Sequence, residues 1–372
     1  MKKLGFGCMR LPLTDPQHQD SVDLTKMKQM VDLFISKGFT YFDTAWMYHD
    51  FKSEIFVRRA LVERYQRDAF VLADKLPLSL MKEGADADEL FDKQKEKCGV
   101  DYFDVYLLHN INRANYEKAT GNGWFETVKR RKANGEIKRL GFSFHSDAEL
   151  LDKALREHPE IEIVQLQLNY LDWNSDRIQS GKCYQVAREH GRDIVVMEPV
   201  KGGMLAHLPR EAGQILQAAA PGKSAASWAV RFAAGLPGVI VVLSGMSDQE
   251  QMEDNLSYME DFQPLSDYEH EALKKVVSII DKAVAIPCTA CRYCVEGCPR
   301  KIAIPEFFNL FNRRAQQQKQ AWYSEGAYYN DYTREHSKAS DCIACGACEK
   351  ACPQHLPIIE DLKRVAEVFE KE

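Results

Sequence analysis

Tyr41-Phe42-Asp43-Thr44-Ala45-Trp46-Met47-Tyr48 is an apolar strand that ends on a carboxylate, with a tyrosine five positions beyond it. Two more apolar runs end on a single ionisable group: Phe70-Val71-Leu72-Ala73-Asp74-Lys75 and Asp104-Val105-Tyr106-Leu107-Leu108-His109. Ending buried strands on an acid, a cation and a base is costly unless the groups meet and satisfy one another. In a barrel of parallel strands the C-terminal ends converge on one rim, where such folds keep their chemistry. Asp43, Tyr48, Lys75 and His109 are therefore expected to form one site.

Working outward, strand-like runs recur near 4–8, 39–43, 69–75, 103–109, 138–143, 162–168, 193–198 and 238–243. Ile194-Val195-Val196-Met197 and Val239-Ile240-Val241-Val242-Leu243 are apolar on both faces, as strands buried under helices should be. Helical patterns alternate with them. Met27, Met30, Val31 and Phe34 share one face, with Thr25 expected as N-cap and Gly38 as the stop. Segments 53–65, 86–98, 123–134, 147–157, 178–190, 223–234 and 248–259 read the same way. Eight strand–helix units predict an α/β fold, a (β/α)8 TIM barrel. A doubly wound open sheet would need a G-x-G-x-x-G turn, and Gly5-Phe6-Gly7 has Arg10 where the third glycine belongs. A further amphipathic helix is expected over 266–282, and 283–287 reads as a boundary. The chain then divides into 1–284, a barrel with its trailing helix, and 285–372, a small, mainly α-helical cysteine-rich module. Within the module, Phe307, Phe311, Ala315 and Trp322 recur at helical spacing, as do Leu362, Val365, Ala366 and Phe369; Gln316-Gln317-Gln318 reads as a solvated face.

A net charge of −6 on 372 residues gives no electrostatic reason to expect nucleic acid or anionic lipid as partner. The N-terminus is basic but lacks the apolar run of a signal peptide, and no stretch approaches a membrane span. A cytoplasmic protein is expected. Of the eleven cysteines, Cys8, Cys98 and Cys183 are scattered, and the other eight lie between Cys288 and Cys352. A chain with no export signal seldom forms disulfides, so the cluster points to metal.

The cysteine spacing repeats. Cys288-x2-Cys291-x2-Cys294-x3-Cys298-Pro299 is followed by Cys342-x2-Cys345-x2-Cys348-x3-Cys352-Pro353. This is the bacterial ferredoxin run, in which the fourth cysteine ligates the other cluster. Cys288, Cys291, Cys294 and Cys352 are thus assigned to one 4Fe–4S cluster, and Cys342, Cys345, Cys348 and Cys298 to a second. Zinc, the alternative, usually takes its ligands as two separated pairs. The long, largely helical stretch between the two runs resembles the α-helical ferredoxin-type domain of respiratory iron–sulfur subunits.

Four ionisable groups on one rim suit protonation of a carbonyl oxygen during hydride addition. A tyrosine is a poor acid near neutrality unless a cation stabilises its phenolate. Lys75 supplies that cation in this reading, Asp43 holds the lysine, and His109 donates a hydrogen bond beside the tyrosine. Each residue alone also reads as a satisfied structural group; it is the set that points to chemistry.

On these residues the barrel, over about 3–262, resembles the aldo-keto reductase superfamily. There a strand-two Asp-Thr-Ala followed by Tyr, a strand-three Lys and a strand-four His form a catalytic tetrad, matching Asp43, Tyr48, Lys75 and His109. The resemblance implies NAD(P)H bound over the rim without a Rossmann domain, Tyr48 as general acid, and an aldehyde or ketone as substrate. It places Ser143 and Gln165 at the nicotinamide carboxamide, with Phe144 where the family often has Asn. Met197 falls where many members stack a tyrosine on the ring. Pro199-Val200-Lys201-Gly202-Gly203 and Ser244-Gly245-Met246-Ser247 match the pyrophosphate loops, so Val200, Gly203, Ser244, Gly245 and Met246 are implied cofactor contacts, and Asp43 borders the same site. Asp254-Asn255 matches the adenine pair. Gln251 stands where NADPH-preferring members carry an arginine, and a neutral amide cannot make that bidentate charge-assisted contact. NADPH and NADH both remain open.

The role of the clusters divides between electron exchange with a ferredoxin-like partner and stapling of a small domain. No flavin motif is visible to convert a two-electron hydride into single electrons. The expected protein is an NAD(P)H-dependent carbonyl reductase, and the alternative is a redox-sensing or electron-relay protein with a slow barrel. Trp46 and Met47 flank the proposed acid as pocket or packing residues. His145 is a candidate for the rim, and Cys8 reads as a small core residue.

Overall fold

Eight parallel strands close on themselves in chain order. They are β1 (Leu4–Gly7), β2 (Tyr41–Asp43), β3 (Val71–Leu76), β4 (Phe103–Ile111), β5 (Ile137–Phe144), β6 (Ile163–Gln167), β7 (Asp193–Met197) and β8 (Val239–Ser244). The computed structural model describes residues 1–15, 18–316 and 324–370. Trp322, Gln317 and Gln318 lie outside them. All eight expected strands are present, and the fold is the expected TIM barrel.

The barrel interior is filled with side chains, as the fold requires. Tyr41, Ala73, Val105, Leu107, Ile163, Val195, Val241 and Leu243 pack there as one cluster. Gly5 on β1 makes room for them. A β-carbon at that position would meet Val241 at 2.7 Å, Leu243 at 2.8 Å and the Tyr41 ring at 3.2 Å.

Helices surround the strands, and several start on aspartate. Asp23, Asp86, Asp147 and Asp248 each accept a hydrogen bond from a first-turn backbone N–H. Such caps contribute about 1 kcal/mol apiece. Asp23, not Thr25, caps the helix Leu24–Ser36, because the carboxylate lies at the right register and complements the positive end of the helix. Gly38, with φ +76°, follows its C-cap as expected. The helix expected over 53–65 is Ser53–Val57 followed by a π-helical turn, Arg58–Val62. Arg113–Gly121 and Arg210–Ala219 are additional helices.

Backbone packing divides the chain into two compact units. One comprises Met1–Pro199 and Ala226–Leu265 and holds all eight strands. The other comprises Val200–Ala225 and Ser266–Glu372. In this second unit Arg210–Ala219 packs on Asp267–Ala283, a helix opened by a Ser266/Glu269 capping box. A core of Ile286, Ile302, Ile304, Phe307, Phe308, Leu362 and Val365 takes in Cys294, Cys348 and Cys352. Phe311, Ala366 and Phe369 pack at its edge. Among the described residues no helix is long and apolar enough to cross a membrane.

Candidate active site and cluster-binding module

Asp43 closes β2 and pairs in register with Gly7 on one side and Ala73 on the other. Two residues beyond Ala73, Lys75 brings its ammonium to 2.6 Å from Asp43 Oδ1 and donates to Thr44 O at 2.6 Å. Gln165, on β6, donates to Asp43 Oδ2 at 3.3 Å. Burial pushes the Asp43 carboxyl above its usual range, with the Lys75 charge working against that shift. This pair is fully enclosed, and each partner requires the other.

Tyr48 lies against them. Lys75 Nζ is 5.0 Å from the centre of its ring, and the His109 ring meets it edge-on at 6.1 Å and 84°. The four residues named from the sequence come together. Tyr48's pKa, however, is raised well above its ordinary value, by burial first and then by the charge of Asp43. A cation beside a phenol eases the loss of its proton, which is the part expected of Lys75. In the resting protein Asp43 spends the ammonium's charge, and the phenol stays protonated.

His109 sits where β4 breaks register against β5, between Leu108 and Ile111. Asn110 takes the left-handed conformation there, at φ +64°, and its N–H donates to Ser143 Oγ at 2.7 Å. Such a bulge re-aims a side chain. Burial, followed by the Lys75 and His145 charges, holds the His109 pKa well below its usual value, so the ring is neutral. Its Nδ1 is buried without a hydrogen-bond partner. A stranded N–H is rarer and costlier than a stranded lone pair, so the proton belongs on Nε2.

Past Tyr48 the backbone turns left-handed. His49 (φ 52°, ψ 52°), Asp50 (φ 50°, ψ 49°) and Phe51 (φ 65°) are consecutive non-glycine residues in this region, where each costs roughly 1–2 kcal/mol. Lys97 donates to Phe51 O at 2.7 Å, and its ammonium lies 3.8 Å over the Trp46 ring. Trp46 therefore packs on the turn. Cys8 is fully buried, and burial drives its thiol pKa up, as a core residue's should be.

Behind β3 is a buried polar layer that the strand pattern did not reveal. Asp74 accepts from Lys75 N–H at 2.8 Å, and Gln94 donates to Lys75 O and to Glu54 Oε1, each at 3.0 Å. Tyr106 donates to Gln94 at 2.5 Å, and Lys97 pairs with Glu54 at 2.5 Å. Burial, then the Glu54 charge, raises the Asp74 carboxyl well above its usual range. Asp74 shares the β3 end with Lys75, and an acid beside a cation in a strand was the available signal.

Of the residues the sequence assigned to cofactor, Ser143 and Gln165 are register partners across β5 and β6, and Met197 ends β7 half-buried. Ser244 ends β8 and accepts from Asn255 Nδ2 at 2.6 Å, while Tyr258 donates to the same amide's oxygen. Met246 is fully buried. Gln251 donates to Asp248 and accepts from Ser247 N–H, each at 2.9 Å. Asp254 is half-buried on the same helix, and Gly245 packs against the Arg10 side chain. Val200 and Gly203 belong to the second unit. There Lys201, 2% exposed, donates to Gln354 Oε1 at 3.1 Å, and Gly202 is pressed against the Thr289 carbonyl.

The cysteines fit two clusters. Cys288, Cys291, Cys294 and Cys352 line one small pocket with Pro305 and Phe308. Cys348, whose thiol burial pushes up to about 11, also feels the charges of Cys342 and Cys298. The first group of three thus shares a pocket with the fourth cysteine of the second run, and Cys348 lies within electrostatic reach of Cys342 and Cys298. A pocket lined by four cysteines of this spacing suits a cubane. Cys345 is exposed, whereas Cys294 and Cys352 are buried.

Comparison with known proteins agrees with this architecture. Residues 287–356 match the 4Fe-4S dicluster domain, and residues 3–278 match the aldo/keto reductase family. Probable aldo-keto reductase 1 of Glycine max is 27% identical over 215 residues, 55% of this chain and 57% of its own. The chain thus spans little more than half of that relative. An uncharacterized oxidoreductase of Bacillus subtilis, YqkF, is 22% identical over 287 residues, 69% of this chain and 86% of its own. A solved aldo-keto reductase from Bacillus halodurans, in its holo form, superposes with a TM-score of 0.59 at 24% identity, over 74% of this chain and 91% of that one. An aldo/keto reductase from Klebsiella pneumoniae in complex with NADP and acetate gives 0.59 at 21%, again over 74% and 91%. At such identities the structures speak for the fold. The family match runs from the first strand into the helix Asp267–Ala283, and on it the chain belongs to the aldo/keto reductase family.

Proposed function

We propose that this protein reduces an aldehyde or ketone to an alcohol with NAD(P)H, and that its C-terminal module carries two 4Fe–4S clusters. The observation that carries the reading is the meeting of Asp43, Lys75, Tyr48 and His109 at neighbouring strand ends. The nicotinamide, when bound, supplies the hydride. Tyr48 keeps its proton at rest because burial and Asp43 hold it there, and it gives that proton to the carbonyl oxygen as negative charge develops. His109, neutral, donates from Nε2 to the same oxygen and fixes its position. Lys75, beside the ring, stabilises the phenolate left behind, and Asp43 keeps the ammonium in place.

Ser143 and Gln165 orient the carboxamide, and Met197 packs on the ring face in this reading. Ser244, Gly245 and Met246 hold the pyrophosphate, and Gln251, Asp254 and Asn255 the adenosine end. The NADP named with the Klebsiella protein supports a phosphorylated nucleotide. Gln251, tied to Asp248, supports NADH. The eight cysteines divide as Cys288, Cys291, Cys294 and Cys352 against Cys298, Cys342, Cys345 and Cys348. The clusters, when bound, supply one-electron storage. The exposed Cys345 edge favours exchange with a ferredoxin-like carrier over a purely structural part.

The test is oxidation of NADPH and of NADH by holoprotein over a panel of aldehydes and ketones. Tyr48→Phe should cost roughly 10²- to 10⁴-fold in kcat; unchanged turnover would make the reading wrong. Redox titration of the same holoprotein decides the cluster role, since centres with no reversible potential are staples only.

A further inference from the structure

We propose that His49 is the positioning residue for Tyr48: its imidazole ties the left-handed turn to the segment after β1 and so sets where the phenol stands. The inference rests on the reading of Tyr48 as proton donor. His49 is 4% exposed and directly follows Tyr48. Its Nδ1 lies 2.7 Å from Gln19 O, its Nε2 lies 3.0 Å from Cys8 O, and Leu11 N–H donates to Nε2 at 3.3 Å. All three are backbone groups of one stretch, which begins where β1 ends. That strand pairs with β2 through Gly7 and Asp43. One ring therefore couples the tyrosine's segment to the frame that carries the aspartate.

The backbone supplies the second argument. Three successive L-residues in the left-handed region persist only where surrounding bonds over-determine them. The other ties, Lys97 to Phe51 O at 2.7 Å and Lys52 to Asp20 at 2.6 Å, hold the far side of the turn. Lys52 N–H also donates to His49 O at 3.0 Å, within the turn; the His49 ring ties the residue next to the phenol to the segment after β1. Glycine adopts this conformation without steric cost. A histidine here thus adds something glycine lacks, namely a rigid side chain that both donates and accepts. Burial holds the ring below its ordinary pKa, so the neutral form gives Nδ1–H to Gln19 O and takes Leu11 N–H at Nε2, and the Cys8 carbonyl is then a close contact and not a hydrogen-bond partner.

The experiment compares holoprotein variants on the carbonyl probe for which Tyr48→Phe loses turnover. His49→Gly frees the backbone and removes the ring. The expected result is a fall in kcat of about 10- to 100-fold, with KM for NAD(P)H and the cluster absorbance unchanged. His49→Asn, which tolerates left-handed backbone and can donate and accept, should recover part of that loss. An unchanged kcat in His49→Gly overturns the proposal, as does equal loss in His49→Gly and His49→Asn. Should His49→Gly fail to fold, His49→Asn against His49→Ala decides, equal kcat overturning it. If no carbonyl can be found on which Tyr48→Phe loses turnover, the reading of Tyr48 fails first, and the two failures stay distinct.

Discussion

Lys75 Nζ stands 2.6 Å from Asp43 Oδ1, with both side chains almost wholly sealed from solvent. Removing one partner leaves the other charged and alone in a medium that solvates it poorly. Lys75→Met should therefore destabilise the barrel by about 3–5 kcal/mol as well as abolish turnover. The double variant Asp43→Asn/Lys75→Met should lose less than the two single changes together. Urea unfolding of the set checks this, and a Lys75→Met protein within about 1 kcal/mol of wild type counts against the pairing.

Asp74 gives a prediction about pH. Its folded pKa lies above the unfolded value of 3.8 because burial and Glu54 disfavour its charge. The folded protein then holds a proton that the unfolded chain releases. Its contribution to stability is present below 3.8 and is lost as pH rises through the folded value. Asp74→Asn, which mimics the neutral acid, should remove that loss. The stability of the variant relative to wild type should grow with pH; a difference independent of pH between 4 and 8 would contradict it.

Gly202 is at φ +65°, and a β-carbon there would stand 2.2 Å from Thr289 O. Thr289 lies between Cys288 and Cys291, so Gly202→Ala must displace the loop that carries these cysteines. Loss of iron–sulfur absorbance and a penalty of about 1–3 kcal/mol are expected. Gly203→Ala, at φ +99° with open space around it, meets backbone strain only and should keep both clusters.

The crossed cysteines can be told apart spectroscopically. Cys352→Ser should perturb the same paramagnetic signal as Cys288→Ser, and Cys298→Ser the same one as Cys342→Ser. If Cys352→Ser instead resembles Cys342→Ser, each run binds its own cluster and the exchange is wrong.

Gln251 sets the last test. Its amide is bonded to Asp248, whose carboxylate would repel a phosphate. Gln251→Arg adds a charged donor worth about 1.5–3 kcal/mol to such a group. It should raise kcat/KM for NADPH relative to NADH by roughly 10- to 100-fold. Equal change for both nucleotides would place the 2′-phosphate elsewhere.

The barrel was legible because its strands are apolar on both faces and their helices carry clear stripes. The tetrad was legible because Asp43, Lys75 and His109 interrupt those strands, and a charge in such a place is hard to explain by packing. What escaped the sequence was conformational or cooperative. Arg113–Gly121 shows little apolar periodicity, burying Asn115, Tyr116 and Ala119. Thr25 stands two residues too late to cap, a matter of register that residue preference cannot settle. The buried layer of Asp74, Glu54, Gln94 and Tyr106 arises from positions far apart in the chain. The direction of the Tyr48 shift follows from burial and the Asp43 charge, which composition does not contain.

The uneven shelter of the cysteines has a practical corollary. On the proposed ligand sets Cys345 is exposed beside a buried Cys348, whereas the other set has both Cys294 and Cys352 buried, so air should reach the centre held by Cys345 first. A preparation left on the bench should age in two stages, passing through a half-metallated form that is still coloured. Its reductase assays would then describe a mixture unless the handling were anaerobic throughout.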